Sequence, residues 1–198
     1  MSLEKINTES ISGKEILKCF EVMYVEKSDI KNQEILSNSA NIRIAWGGHD
    51  AVESILSLPK NVFTEDIIYG PKYSYVIIDE ESIKRDRKII SQKIALDVST
   101  FDQYACSSPH TVFVKTKDQE LISEFSRSLA QAMEDVERIM LPKAKETEEK
   151  SKDIISTRSE YEIKGKVISS KNLNWTVIVS EDEGFAEPTF SRVIHVRP

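Results

Sequence analysis

The chain has 198 residues, of which 39% are hydrophobic and 30% charged, a balance typical of a globular protein with a buried core that excludes an intrinsically disordered chain. The formal net charge of −6 argues against a broad nucleic-acid-binding surface, although a local basic pocket for a phosphate remains compatible with it. No apolar run approaches the roughly 20 residues that span a bilayer, and no basic-then-apolar signal opens the chain, so we expect a cytoplasmic protein.

The first part of the chain alternates predicted helices and strands. Apolar spacing predicts helices over residues 13–26 and 30–36, a strand over 42–46, a helix over 50–56, and strands over 67–69 and 75–78. In the first helix, Ile16, Leu17, Phe20 and Met23 recur at helical spacing and are predicted to face inward. Cys19 lies among them and is therefore predicted to be a core thiol.

The second part begins with a predicted helix over residues 82–98, followed by a turn and a strand over 111–114. A long helix is predicted over 118–140, a solvated helix or flexible link over 143–152, and strands over 161–169, 175–179 and 193–196. The inward face of the helix over 82–98 is predicted to comprise Ile83, Ile89, Ile90, Ile94, Ala95 and Val98. Alternating strands and helices predict an α/β fold with flanking helices on a parallel-rich sheet.

Cys106 is the first candidate for chemistry. It follows the helix over 82–98 and precedes Ser107-Ser108-Pro109, which interrupts the helix before the next strand. A cysteine in such a turn is exposed to backbone N–H groups and to ligands, whereas a cysteine within a helix is usually a small core residue. From these residues alone, a nucleophile and a structural thiol remain equally open.

The glycine pair Gly47-Gly48 lies between a predicted strand and a predicted helix, where backbone N–H groups could bind a phosphate, or where glycine merely turns the chain. Lys72 could bind a phosphate or carboxylate, or could be a surface lysine. His110 is predicted to contact solvent or packing partners rather than pair with the cysteine. His49 and His195 are isolated, and the two cysteines form neither a metal-ligand spacing nor a disulfide framework.

The segment FDQYACSSP, residues 101–109, resembles the cysteine motif of the acyl-CoA reductases of the bacterial luminescence type, the LuxC family, distant members of the aldehyde dehydrogenase superfamily. The strand and double glycine over residues 42–52 and the element Gly70-Pro71-Lys72 agree with it in order and spacing. Downstream, Trp175, Pro188 and Ser191-Arg192 resemble the closing strands of the family. The resemblance covers most of residues 14–198, and it is most specific at the cysteine motif and the Gly-Pro-Lys element.

This resemblance implies an internal piece of a longer enzyme, with Met1-Ser2-Leu3 as an expression scar. It implies a remnant of a nucleotide-binding domain over residues 4–62 and an incomplete catalytic domain over 63–198. We find no Gly-x-Gly-x-x-Gly or Walker-type motif, as expected if most of the nucleotide-binding domain is missing. The fragment alone is expected to have little or no reductase activity.

The resemblance further implies that Cys106 accepts an acyl group from a long-chain acyl-CoA, and that NADPH reduces the acyl-cysteine to an aldehyde. Gly47 and Gly48 would contact the cofactor, and Glu183, two residues before Phe185, resembles the ribose-binding glutamate of the superfamily. The positions where acid-forming aldehyde dehydrogenases carry a catalytic glutamate correspond to residues 67–69, Ile-Ile-Tyr, which offer no general base near neutral pH. An acyl-cysteine should therefore survive hydrolysis.

The family also implies acyl-transferase and acyl-protein synthetase partners and a homo-oligomer at full length. Two alternatives stay open from the sequence. One is a CoA-acylating aldehyde dehydrogenase that acts on short aldehydes. The other is a non-catalytic α/β interaction module whose helices over residues 118–152 dock a partner, with Cys106 incidental.

Overall fold

The computed structural model describes residues 15–16, 18–70 and 72–198 of the chain. The chain divides into two compact units, with the division between residues 71 and 72. The predicted nucleotide-binding remnant over residues 4–62 and catalytic domain over 63–198 have a different boundary, and their assignment stays a prediction.

The first unit is built around a pair of parallel strands. Its elements are α1 (Ile30–Ser39), β1 (Ile42–Trp46), α2 (His49–Leu56) and β2 (Glu65–Tyr69). Strands β1 and β2 run parallel, with Ile42 opposite Glu65 and Trp46 opposite Tyr69. The Asp29 side chain caps α1 by accepting a hydrogen bond from the Asn32 N–H, which satisfies one of the free donors at the helix start.

A buried arginine connects the elements of the first unit. Arg43 on β1 is only 7% exposed and donates to both carboxylate oxygens of Asp66 on β2, at 2.6 and 2.9 Å. It also donates to the Ser37 hydroxyl of α1 at 2.7 Å. The hydrogen bonds from Arg43 and from Lys60 hold the pKa of Asp66 well below its usual range, so this carboxylate stays ionised and paired.

The predicted N-terminal helix is wrong beyond its first turns. Residues 20–26 form no regular structure, while residues 13–14 and Leu17 of that prediction lie outside the described residues. Cys19, predicted to be in the core, is exposed, and so are Phe20 and Met23. Helical spacing buries a face only where another surface packs against it, and the described part of the first unit offers none at these positions.

The second unit contains a five-stranded sheet flanked by helices. Its elements are β3 (Tyr75–Asp79), α3 (Glu80–Ser99), β4 (Thr111–Lys115), α4 (Gln119–Ile139), α5 (Glu148–Lys164), β5 (Lys166–Ser169), β6 (Thr176–Val179) and β7 (Val193–Arg197). The strand order is β3-β4-β7-β6-β5, and all neighbours are parallel except the antiparallel pair β5 and β6. The predicted α/β class with a parallel-rich sheet is confirmed.

The core of this unit lies mainly between the sheet and the helices α3 and α4. Of the predicted inward face of α3, Ile83, Ile94, Ala95 and Val98 are buried and Ile90 is partly buried. Ile89 is 53% exposed, contrary to the prediction, because it lies about 100° around the helix from Ile90. A second, smaller cluster joins Ile154, Ile178 and Val193, and α5 packs there.

Helix α5 differs most from the sequence prediction. The predicted strand over residues 161–169 begins only at Lys166, because α5 continues to Lys164. The helix starts with Thr147, whose side chain accepts from the Lys150 N–H, and with two acidic residues in the first turn, which suit the helix dipole. Within the part of the chain that the structure describes, no helix is both long and apolar enough to cross a membrane.

Candidate active site at the cysteine turn

Cys106 lies in an exposed turn between a short 3-10 segment, Thr100–Gln103, and strand β4. The turn is closed by a hydrogen bond from the Ser108 N–H to the Ala105 carbonyl at 3.0 Å. From the chain just before β3, the Ser74 hydroxyl donates to the Cys106 carbonyl at 2.5 Å. The backbone of Cys106 is thus anchored to the sheet while its thiol faces outward.

The backbone donors of this turn are available to a ligand. Neither the Cys106 N–H nor the Ser107 N–H donates a hydrogen bond within the described parts of the chain. Free N–H groups next to a nucleophile are the usual way in which proteins stabilise a developing oxyanion. The turn therefore offers both a thiol and donors for an acyl carbonyl.

Two left-handed segments support the turn. Residues 101–103 have φ values of 52°, 51° and 70°, and residues 190–192 have 60°, 57° and 63°, although none of the six is glycine. This conformation costs roughly 1–2 kcal/mol for each non-glycine residue. The two segments meet where the Ser191 N–H donates to the Asp102 carbonyl at 3.1 Å. Strain of this size persists only where surrounding contacts impose it, and such strain is often found at functional sites.

Arg192 supplies most of those contacts. Its side chain is 2% exposed and donates to the Asp102 carboxylate at 2.7 Å and to the Glu137 carboxylate at 2.7 Å. It also donates to the Leu141 carbonyl at the end of α4, at 2.8 Å. Arg192 thereby joins both left-handed segments to α4, and its single positive charge pairs with two largely buried carboxylates.

A buried lysine reinforces the same region. The Lys143 ammonium, with its side chain 2% exposed, donates to the Ser191 carbonyl at 3.0 Å and to the Leu173 carbonyl at 2.8 Å. It pairs with Glu146 at 3.0 Å. Burial lowers the pKa of Lys143, and its pairing with Glu146 opposes that shift. The segment between α4 and α5 is thus attached to the second left-handed segment.

Gln103 connects the two ends of the cysteine turn. Its side chain is fully buried and donates from Nε2 to the Pro109 carbonyl at 2.8 Å and to the Val193 carbonyl at 2.9 Å. Its Oε1 accepts from the Val193 N–H at 3.0 Å. One amide therefore closes the loop over residues 103–109 and attaches it to the start of β7.

Aromatic rings pack around the turn. Phe190 stacks on Tyr104 with ring centroids 5.3 Å apart and meets the edge of the His110 ring at 4.9 Å. His110 is 6% exposed, and burial lowers its pKa. Its ring makes no hydrogen bond with Cys106 in the described structure, which agrees with the packing role expected from the sequence.

The other predicted site residues lie elsewhere. Gly47 and Gly48 form the turn between β1 and α2 in the first unit, and Glu183 is an exposed residue between β6 and β7 in the second unit. The Glu183 carbonyl accepts from Arg197 at 3.4 Å. Lys72 is exposed, and Pro71 lies outside the described residues. Among those residues, no group of histidines, cysteines and carboxylates could hold a metal ion.

The glycine turn fits a phosphate-bearing cofactor in one respect. Gly48 begins α2 without a side-chain cap, and a Cβ at this position would meet open space within 4 Å. A ligand can therefore approach the backbone N–H groups at the start of α2 closely. The exposed carboxylate of Asp50 in the first turn opposes an anion there, so the fit rests on the backbone alone.

The residues that hold the turn were not identified from the sequence. Asp102 and Gln103 lie within the cysteine motif, and Ser191-Arg192 were noted only as part of a closing strand. The available signals were polar residues three and four positions before the candidate nucleophile and an arginine directly before an apolar strand, but neither signal reveals the partner.

Comparison with known proteins decides the family. The acyl-CoA reductase (LuxC) family matches residues 2–198. The chain belongs to the LuxC family of acyl-CoA reductases. Among curated relatives, a long-chain acyl-protein thioester reductase of Vibrio harveyi is 29% identical over 83% of this chain and 33% of its own length. Its counterpart in Aliivibrio fischeri is 28% identical over 91% of this chain and 36% of its own. The chain thus spans about a third of these relatives.

Solved structures show the fold. A γ-glutamyl-γ-aminobutyraldehyde dehydrogenase of Burkholderia cenocepacia matches with a TM-score of 0.63 and 11% identity, over 83% of this chain and 36% of that one. An NAD-dependent benzaldehyde dehydrogenase of Corynebacterium glutamicum matches with a TM-score of 0.63 and 12% identity, over 87% and 40%. An indole-3-acetaldehyde dehydrogenase in complex with NAD⁺ also matches, with a TM-score of 0.63 and 9% identity, over 79% and 35%. The chain has part of the aldehyde dehydrogenase fold.

Proposed function

We propose that this chain carries the acyl-accepting cysteine of an NADPH-dependent reductase that converts a long-chain acyl-CoA to an aldehyde. The observation that carries the proposal is the cysteine turn itself. An exposed thiol stands beside two free N–H groups on a backbone that a buried ion network holds in a strained conformation. The relatives named as acyl-protein thioester reductases support the same chemistry.

The chemistry follows from these groups. The Cys106 thiolate attacks the thioester carbonyl, and the carbonyl oxygen takes up the electron pair as an oxyanion. The N–H groups of Cys106 and Ser107 stabilise this oxyanion through hydrogen bonds. Collapse of the tetrahedral species expels the coenzyme A thiolate, which takes a proton from solvent, and leaves an acyl-thioester on Cys106.

The residue types at positions 67–69 favour reduction over hydrolysis. Ile67 and Ile68 carry no ionisable group, and none of residues 67–69 carries a carboxylate. The neighbouring carboxylate of Asp66 is bound to Arg43 and Lys60, which lower its pKa and leave it a poor base. With no general base at the positions where acid-forming aldehyde dehydrogenases carry a catalytic glutamate, water should attack the acyl-cysteine slowly.

NADPH is the proposed cofactor. When bound, a nicotinamide cofactor supplies the hydride that reduces the acyl group to an aldehyde. In the first unit, the turn of Gly47 and Gly48 would contact a cofactor phosphate through backbone N–H groups. Glu183 is proposed to contact the ribose. The fragment alone is proposed to be inactive, because most of the nucleotide-binding domain would be absent.

The remaining proposals concern the complete protein. Acyl-transferase and acyl-protein synthetase partners, a homo-oligomeric full-length enzyme and a cytoplasmic location stay predictions from the resemblance and the sequence. The alternative of an interaction module has one supporting observation, a groove between α3 and α4 lined by exposed Ile89, Leu96, Ile139 and Met140.

Mass spectrometry after mixing the chain with acyl-CoA, without reduced cofactor, tests the function. Wild-type chain and Cys19→Ser should gain one acyl group on the Cys106 peptide. Cys106→Ser should gain none, because a hydroxyl without an activating base is a far weaker nucleophile. An adduct on Cys19, or one that persists in Cys106→Ser, would contradict the assignment. A Cys106 that reacts with a thiol probe no faster than a model thiol would favour the interaction module.

A further inference from the structure

We propose that Gln103 is a positioning residue for Cys106, and that it acts by holding the cysteine turn in the one geometry that presents both the thiol and the free N–H groups to a carbonyl. This inference rests on the proposed function for its chemistry, but its structural part can be tested separately. The residue itself does not face the outer surface of the turn, since its side chain is fully buried.

The hydrogen bonds of Gln103 show why the amide matters. Its Nε2 donates to Pro109, at the far end of the turn, and to Val193 on the neighbouring strand β7. Its Oε1 accepts from the Val193 N–H, so three of the bonding positions of the amide are filled by backbone. The side chain of Gln103 therefore connects both ends of the segment over residues 103–109 to β7, in addition to the bonds of Ser74 and Ser108 within the turn.

Few other residues could replace this amide. An ionised glutamate has the same shape but cannot donate to the carbonyls of Pro109 and Val193. Methionine has a similar volume but makes no strong hydrogen bond, and asparagine is one methylene too short to reach both ends. Each substitution should leave the fold of the sheet intact and release the turn, because the carbonyls of both ends lose their donor.

Loss of this positioning should affect acylation of Cys106 but not its alkylation. Attack on a thioester requires the thiol and the N–H donors to be aligned on the same carbonyl, and misplacement by about 1 Å can cost about 100-fold in rate. Alkylation by iodoacetamide forms no oxyanion and needs only an exposed thiol. Loss of positioning should therefore slow acylation of Cys106 and leave its alkylation nearly unchanged.

Electron paramagnetic resonance with a nitroxide label on Cys106 tests the structural part. The background is Cys19→Ser, which leaves a single reactive thiol. We expect an immobilised spectrum with Gln103 and a mobile spectrum with Gln103→Met or Gln103→Asn. Thr176→Val, a change at another buried polar residue of the same sheet, should keep the immobilised spectrum. Equal mobility in all four proteins would overturn the proposal.

Gln103→Glu adds a readout that a purely structural role would not produce. When ionised, the new carboxylate repels the carbonyls of Pro109 and Val193, and when protonated it donates to one of them. The label should become less mobile as the pH falls in this variant, whereas the wild-type spectrum should not change over the same range. A variant spectrum independent of pH would count against the hydrogen bonds as the cause. If Gln103→Met fails to fold, the spectra of Gln103→Asn and Gln103→Glu still test the positioning role of Gln103.

The chemical part uses p-nitrophenyl decanoate as the acyl donor and iodoacetamide as the reference reagent. In Gln103→Asn, acylation of Cys106 should fall about 100-fold while alkylation stays within about twofold. Equal losses in both rates would contradict positioning. A wild-type chain that is alkylated but not acylated would contradict the proposed function instead, and the spin-label result would then decide the role of Gln103.

Discussion

The glycine turn of the first unit and the cysteine turn of the second are stabilised in different ways. The turn at Gly47-Gly48 is held by a hydrogen bond from the Gly47 N–H to the Tyr69 carbonyl, and space beside Gly48 is open. The turn at Cys106 contains no glycine, yet it adjoins two left-handed segments that a buried network supports. A turn that lets a ligand reach backbone needs only small residues, whereas a turn that must aim a side chain needs buried partners.

A similar contrast holds for the charged groups near the two turns, although the first unit also buries Arg43 on β1. His49, next to the glycine turn, is largely exposed, while His110 and His195 are buried in the second unit. Arg192 and Lys143 are each 2% exposed by side chain. The cysteine turn is therefore expected to be sensitive to changes in buried charge, and the glycine turn is expected to tolerate them.

Arg192→Met should have the largest effect on the free energy of unfolding. It tests most directly whether buried charges hold the cysteine turn. The change removes the guanidinium that pairs with the largely buried carboxylates of Asp102 and Glu137, and removing one partner of a buried ion pair typically costs about 3–5 kcal/mol. The free energy of unfolding, measured in urea through fluorescence of the buried Trp175, should fall by this amount. Arg138→Met, on an exposed position of α4, should change it by less than about 0.5 kcal/mol. Equal stability of the two variants would show that the network does not hold the second unit.

The pH dependence of stability should show the second largest effect. Burial, with Arg197 nearby, lowers the pKa of His195 to about 4. In the unfolded chain this histidine titrates near 6.5. In this pH range the unfolded state therefore binds a proton that the folded state does not bind, and stability falls as the pH drops from 6.5 to about 4. Above pH 6.5 His195 no longer lowers the stability, and between pH 6.5 and 4 the free energy of unfolding should fall by about 3 kcal/mol because of this histidine.

His195→Phe isolates this term, because phenylalanine keeps a ring against Tyr161 and cannot take up a proton. Urea titrations at pH 6.5 and 4 should show a loss that is about 3 kcal/mol smaller in the variant than in the wild type. His49→Phe, at an exposed position of the first unit, is the control for replacing a histidine with phenylalanine. The same loss in wild type and His195→Phe would place the acid sensitivity in other groups.

Gly48→Ala should have the smallest effect on stability. The residue has φ −67°, which alanine adopts freely, and the added Cβ meets no atom within 4 Å. We expect a change within about 0.5 kcal/mol in the free energy of unfolding. In the complete enzyme, the same methyl group should raise the KM for NADPH, because it occupies the space beside the helix start. An unchanged KM would argue that no cofactor approaches this turn.

The sequence predicted the strands well, and for a local reason. The strand Ile42–Trp46 was predicted with its observed limits, and the strand at Thr111 differs by one residue, because runs of branched apolar residues between turn residues favour strands. The errors arose where local pattern was ambiguous. The end of α5 was predicted as a strand, since Tyr161 and Ile163 alternate with polar residues, and the exposure of Cys19 could not be foreseen without knowing what packs there.

By itself, the sequence determined the α/β order of elements, the position of Cys106 between a helix and a strand, and the lack of a base at residues 67–69. Each of these depends on residues close together in the chain. Only the tertiary structure decided how the turn is held. Arg192 and Asp102, like Gln103 and Val193, meet across 90 residues. Local periodicity carries no information on such partners, because burial of charged and polar groups is favourable only once the folded chain brings their counterparts within hydrogen-bonding distance.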